Sequence, residues 1–113
     1  ALEYFEAAVR FDPDNMNALV NRGAMLYYKG EYDRALSDFE QAIARNPKDP
    51  FFYWRRGLVR WAKAEPDAAS ADFRKTLELA PPDNIRQHCE TSLKEIGQGK
   101  TRFEPADWKA SAR

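Results

Sequence analysis

His88 and Cys89 carry the side chains from which metal sites and nucleophilic pairs are built. A zinc site takes about four nitrogen and sulfur ligands at recurring spacings. The sequence holds one histidine and one cysteine, so these two would have to work alone. They fail as base and nucleophile on geometry, because consecutive helical residues point about 100° apart. Nothing else completes a triad. A surface histidine beside a half-buried cysteine is therefore expected. Gly99-Lys100-Thr101 has the ending of a phosphate-binding loop, but Lys94 stands where that motif needs its first glycine. The motif should also follow a strand, and this one follows a helical stretch. No two titratable groups are arranged as acid and base. The sequence thus predicts no enzyme activity, no catalytic residue, no metal and no cofactor.

Two other constellations point to structure and binding. Arg22 and Asp38 lie 16 residues apart, as do Arg56 and Asp72. Each arginine precedes a glycine and each aspartate precedes a phenylalanine, which predicts the same Arg–Asp bridge twice, in a structural role. Phe51, Trp54, Leu58 and Trp61 step by three, four and three and form an apolar stripe on a helix. Tyr53, Gly57 and Arg60 form a second face of the same helix. Arg55, Arg56, Arg60 and Lys63 crowd this segment, and with Arg56 assigned to Asp72 the others make a modest basic strip.

These residues sit within a repeat. Pro13, Pro47 and Pro81 recur every 34 residues, as do Phe5, Phe39 and Phe73. Ala1, Ala35 and Ala69 follow the same period, as do Ala8, Ala42 and Thr76, and Gly23 and Gly57. Within each unit Ala35, Phe39, Ala42 and Ile43 mark one face of a helix, and Ala69, Phe73, Thr76 and Leu77 mark another. A second helix precedes each, over about Met16 to Lys29 and Phe51 to Lys63. Gly30 can supply the left-handed residue that ends the first of these. Ala64 stands in its place in the next unit, where the same conformation would cost about 1 kcal/mol. Asp49 followed by Pro50 forms an N-cap and a first-turn proline, and Pro66 suits a first helical position.

A 34-residue helix–turn–helix unit with Gly23, Gly30, Tyr32, Ala35, Phe39, Ala42 and Pro47, then Gly57, Ala69, Phe73 and Pro81, resembles the tetratricopeptide repeat (TPR) over about residues 1–82. Leu19, Ala64, Pro66 and Thr76 depart from its pattern and make the second full unit the less ideal one. The expected fold is all-α, an α–α superhelix of stacked helical hairpins with a C-terminal capping helix. Residues 1–97 form the TPR domain. Within it, 1–15 is the second helix of a truncated repeat, 16–49 and 50–83 are full repeats, and 84–97 is the capping helix. Residues 98–113 form a tail expected to be mobile, in which Phe103 and Trp108 are candidates to dock back.

The resemblance implies that first helices line a concave side and that the function is protein–protein recognition. The groove residues are then Asn17, Val20, Asn21, Ala24, Tyr27 and Tyr28, followed by Phe51, Trp54, Arg55, Leu58 and Trp61. Aromatic burial would supply affinity, with Asn17, Asn21 and Arg55 holding ligand backbone or a carboxylate. Packing of Trp54 and Trp61 beneath the capping helix or tail is the competing expectation. One subfamily clamps the carboxylate end of heat-shock chaperones. Asn21 and Arg55 match two of its slots, but Phe51 replaces a required lysine, which argues against that role.

Charge and hydropathy narrow the partners. The chain of 113 residues has 18 basic and 18 acidic side chains, which argues against nucleic-acid binding through bulk charge and leaves a binder using Arg55, Arg60, Trp54 and Trp61 as a rival reading. No apolar run approaches the roughly 20 residues of a membrane helix, so no membrane partner is expected and a soluble protein is. One cysteine forbids an intrachain disulfide and leaves the compartment undecided, with the cytoplasm slightly favoured. Any targeting segment is expected to lie outside this stretch. A protein or peptide partner is expected, and Leu2, Phe5 and Val9 should expose apolar surface through which a homo-oligomer forms at the N-terminal end. An accessory segment of a larger regulatory or enzyme assembly is the alternative.

Overall fold

A computed structural model describes residues 1–102. The helices are α1 (Leu2–Phe11), α2 (Met16–Tyr28), α3 (Tyr32–Arg45), α4 (Pro50–Ala62), α5 (Pro66–Glu78) and α6 (Asp83–Gly97). No strand occurs among the described residues. The fold is the expected all-α stack of helical hairpins.

Local chemistry sets where each helix begins. Asn15 caps α2 by accepting a hydrogen bond from the Ala18 N–H at 3.1 Å. Asp49 caps α4 through the Phe51 N–H at 2.9 Å, and Pro50 occupies the first helical position, where no N–H is needed. Pro66 does the same for α5.

The helix ends are set by left-handed residues. Gly30 has φ +83°, and the flanking bonds run from the Gly30 N–H to the Tyr27 carbonyl at 3.0 Å and from the Glu31 N–H to the Leu26 carbonyl at 2.9 Å. The unit that follows repeats this closure with Ala64 at φ +61°, through Ala64 N–H to Trp61 at 2.9 Å and Glu65 N–H to Arg60 at 3.0 Å. Ala80, beyond α5, is also left-handed at φ +53°. An L-residue with a Cβ is strained there by about 1–2 kcal/mol, while glycine is not. Ala64→Gly is therefore expected to stabilise the protein by about 1 kcal/mol, seen as a higher urea midpoint with unchanged slope.

Packing follows the repeat. α2 pairs with α3 and α4 with α5, while α3 lies against α4, α1 against α2 and α5 against α6. The glycines allow the close crossings: a Cβ on Gly23 would lie 3.0 Å from the Phe39 ring, and one on Gly57 would lie 2.8 Å from the Phe73 ring. The core runs along the stack through Leu26, Ala35, Phe39, Leu58, Val59, Trp61, Ala69 and Phe73, and ends at Ile85 and Cys89 on α6. Leu19, Ala42 and Phe52 form a second cluster. Among the described residues, no helix is long and apolar enough to cross a membrane.

At α1 the structure corrects the sequence reading. Leu2, Phe5 and Val9 are half-buried rather than exposed, because they face the side on which α2 packs. The large exposed residues are instead Tyr4, at 71% exposure, and Phe11, at 93%. After α6 the chain turns at Lys100, whose N–H bonds to the Glu95 carbonyl at 3.0 Å. Phe103 and Trp108 lie outside the described residues.

Candidate functional site

The two arginine–aspartate pairs are formed. Arg22 donates from Nε and Nη2 to Asp38 at 2.9 and 2.7 Å, and Arg56 donates in the same way to Asp72 at 3.0 and 2.8 Å. Both aspartates are buried. Each fork ties the first helix of a hairpin to its second, so these residues hold the scaffold rather than a ligand.

The groove residues separate into two groups. Asn17 and Asn21 are exposed on α2, and Tyr28 is exposed at its end. Val20 and Ala24 on α2 and Phe51 and Arg55 on α4 are half-buried. Tyr27, Trp54, Leu58 and Trp61 are buried and do not line open surface. Tyr27 packs against Tyr32, and on α4 the cover comes from α6, which packs on both α5 and α4. Trp54 donates from Nε1 to Nδ1 of His88 on α6 at 3.1 Å. Trp61 donates from Nε1 to the Lys100 carbonyl at 3.1 Å, and the Lys100 ammonium lies 5.5 Å from the Trp61 ring centre. The competing expectation, packing beneath the capping helix, is what these two tryptophans do.

The basic strip also shrinks. Arg60 lies 3.3 Å from Asp72, and Lys63 lies 2.6 Å from Asp33, so both cations are neutralised. Arg55 makes no ion pair among the described residues. Its guanidinium lies 5.0 Å from the Phe51 ring centre and 4.9 Å from that of Trp54. Cation–π contacts of this kind orient a guanidinium while leaving its N–H donors for other acceptors.

His88 is the site residue that the sequence reading missed. It is half-buried, not a surface side chain, and its ring meets Trp54 edge-on at 5.6 Å. Burial, and then the positive charge of Arg55, pull its pKa below the ordinary 6.5. Its distance from Trp54 in sequence is 34 residues, one repeat, and that register is the signal that could have found it. Cys89 is fully buried rather than half-buried. Burial pushes its thiol up to about 12, partly offset by a hydrogen bond with Thr76, so it is not a nucleophile at neutral pH. Among the described residues, no three His, Cys, Asp or Glu side chains gather to hold a metal ion.

Among the described residues, helices paired into hairpins and stacked in chain order define a helical-repeat fold. Residues 17–49 match the tetratricopeptide repeat family. Among solved structures, the TPR domain of Arabidopsis OM64 matches with a TM-score of 0.75 and 26% sequence identity, over 85% of this chain and 79% of that one. No curated protein sequence matches. Residues 17–49 thus carry a tetratricopeptide repeat and the chain has the fold of a TPR domain, a kind of domain that generally serves as a protein–protein interaction module.

Proposed function

We propose that the module holds an extended segment of a partner protein along its concave side, with Arg55 taking a carboxylate and Asn17 and Asn21 taking ligand backbone. The observation that carries this reading is the state of Arg55: half-buried, held over two aromatic rings and without a carboxylate of its own among the described residues. Asn21 occupies the same register one repeat earlier and is exposed. Phe51 supplies an apolar surface beside the guanidinium, so an acidic residue next to an apolar one is the preferred ligand pattern. The role is recognition without catalysis.

The test is selection from a display library of peptides, followed by calorimetry on the selected sequences. Acidic peptides should dominate, and Arg55→Ala should weaken them by at least about tenfold, with the melting temperature changed by only a few degrees. Unchanged affinity in Arg55→Ala, or cross-links that place the peptide on α3 and α5, would overturn the reading.

Self-association is the second reading, favoured by the outward stripe of α1. Glu3, Tyr4, Ala7, Arg10 and Phe11 are all exposed on that helix. In an antiparallel pairing centred on Ala7, small residues would meet and Arg10 would reach Tyr4 and Glu3 of a second copy. One ten-residue helix buries little area, so the dimer would be weak. Sedimentation velocity across a hundredfold concentration range separates it from a monomer.

A further inference from the structure

We propose that the concave groove has an occupant within this chain: residues 103–113 turn back along α4 so that the Asp107 carboxylate lies on Arg55 and the Trp108 ring on Phe51, and an outside ligand binds by displacing them. These residues lie outside the described ones; their sequence and the point from which they start carry the inference. It rests on the groove reading above and names a competitor for that site.

The starting point lies on α4. Trp61 donates from Nε1 to the Lys100 carbonyl at 3.1 Å, so the chain leaving α6 crosses the C-terminal end of α4. Arg55 lies six residues before Trp61 and Phe51 lies ten before it, about 9 and 15 Å back along the helix axis. An extended chain of seven residues reaches about 24 Å, so Asp107 can pass from Lys100 to Arg55 with length to spare.

Charge picks out the contact. On α4 and at its end, Arg56 and Arg60 are held by Asp72, and Lys63 by Asp33. Arg55 is the remaining cation there and makes no ion pair among the described residues. Residues 103–108 read Phe-Glu-Pro-Ala-Asp-Trp, with two acids, two aromatics and no base. They hold twice the pattern that the groove prefers, an acid beside an apolar residue. Direction decides between the two. A chain that starts at Trp61 and reaches Arg55 runs opposite to α4, so the residue after its acid falls towards Phe51. In Asp107–Trp108 the aromatic follows the acid and meets Phe51, whose ring centre lies 5.0 Å from the Arg55 guanidinium. In Phe103–Glu104 the aromatic precedes the acid and falls on the Trp61 side. Pro105 disfavours helix at Glu104, which suits a segment lying extended.

Tethering makes a weak contact effective. A short linker supplies an effective concentration of the order of millimolar. A tail with an intrinsic affinity of about 0.1 mM then fills the groove about nine-tenths of the time and weakens an outside acidic peptide about tenfold.

The experiment uses the full chain. Its three tryptophans give three indole N–H resonances in a 15N spectrum, and Trp108→Phe identifies that of Trp108. A synthetic peptide of residues 101–113 marks the position of the undocked indole. In the parent the Trp108 resonance should stand apart from that position, unchanged on dilution. Arg55→Gln and Asp107→Asn should each return it there, and Glu104→Gln should not. By calorimetry, Asp107→Asn combined with Trp108→Ala should bind an acetylated peptide of six glutamates about tenfold more tightly than the parent does. A Trp108 resonance at the peptide position in the parent, or one that Arg55→Gln leaves in place, overturns the tail contact. A shift that disappears on dilution assigns the contact to a second copy and overturns it too. The groove reading still stands in either case if the glutamate peptide binds the parent and Arg55→Gln abolishes that binding. It falls with the tail contact if the peptide binds neither the parent nor the double variant at millimolar concentration.

Discussion

Trp61→Ala is expected to cost about 4 kcal/mol. The side chain is fully buried, at 0% exposure. It meets the Phe73 ring edge-on at 6.1 Å, and Phe73 in turn fills the space left by Gly57. Removing the indole therefore opens a cavity where hairpin α4–α5 is tightest, and aromatic-to-alanine changes in such sites cost about 3–5 kcal/mol. It also frees the Lys100 carbonyl that the indole N–H engages. A domain of this size has roughly 5–15 kcal/mol in total, so the variant should lose about 20 °C in melting temperature or fail to fold. Trp61→Phe is the informative companion. It keeps most of the buried area and loses the N–H, and should cost about 1–2 kcal/mol while loosening the segment at Lys100. Urea denaturation followed by circular dichroism checks both. A loss under 1 kcal/mol for Trp61→Ala would mean that this face of α4 is open after all.

That expectation differs in kind from the one the sequence supports, and α4 shows why. The repeat columns at Gly23, Ala35, Phe39 and their partners 34 residues on are enough to place the helices, because each is a packing requirement that the hairpin makes again. The same columns place both arginine–aspartate pairs. The stripe Phe51–Trp54–Leu58–Trp61 has no such redundancy. An apolar stripe on a first helix can line a groove or meet the next helix, and period alone does not distinguish them. The decisive feature was the whole circumference: Phe52, Tyr53, Val59 and Ala62 are buried as well, so α4 is apolar nearly all round and is a central helix. Arg60 and Lys63 drop out of the basic strip for a different reason. Lys63 finds Asp33, 30 residues away in another hairpin, and such a pair leaves no periodic trace. Of the proposed groove, Arg55 and the asparagines before it are the polar positions that the fold leaves partly or fully exposed.

Arg22→Ala is expected to cost about 3 kcal/mol, and more than Arg56→Ala. The two pairs look equivalent in sequence, but their surroundings differ. Asp38 is 2% exposed and receives both of its hydrogen bonds from Arg22. Its position is imposed by the close helix crossing, since the Asp38 Cβ lies 3.2 Å from where a Cβ on Gly23 would stand. The carboxylate cannot retreat to water when the guanidinium is removed, and a buried charge left without its partner costs about 3–5 kcal/mol, less where some solvent reaches it. Asp72 is as buried, yet Arg60 stands 3.3 Å from its second oxygen and remains when Arg56 is gone. Arg56→Ala should therefore cost about half as much. The loss belongs to the stranded charge rather than to any large net gain from the pair. Arg22→Met combined with Asp38→Leu, which replaces both ions by apolar groups of similar size, should then return to within about 1 kcal/mol of the parent. Thermal melts of the four proteins decide it: equal losses in Arg22→Ala and Arg56→Ala would show that Arg60 gives Asp72 no support, and a double variant no better than Arg22→Ala would show that the ion pair itself holds the hairpin together.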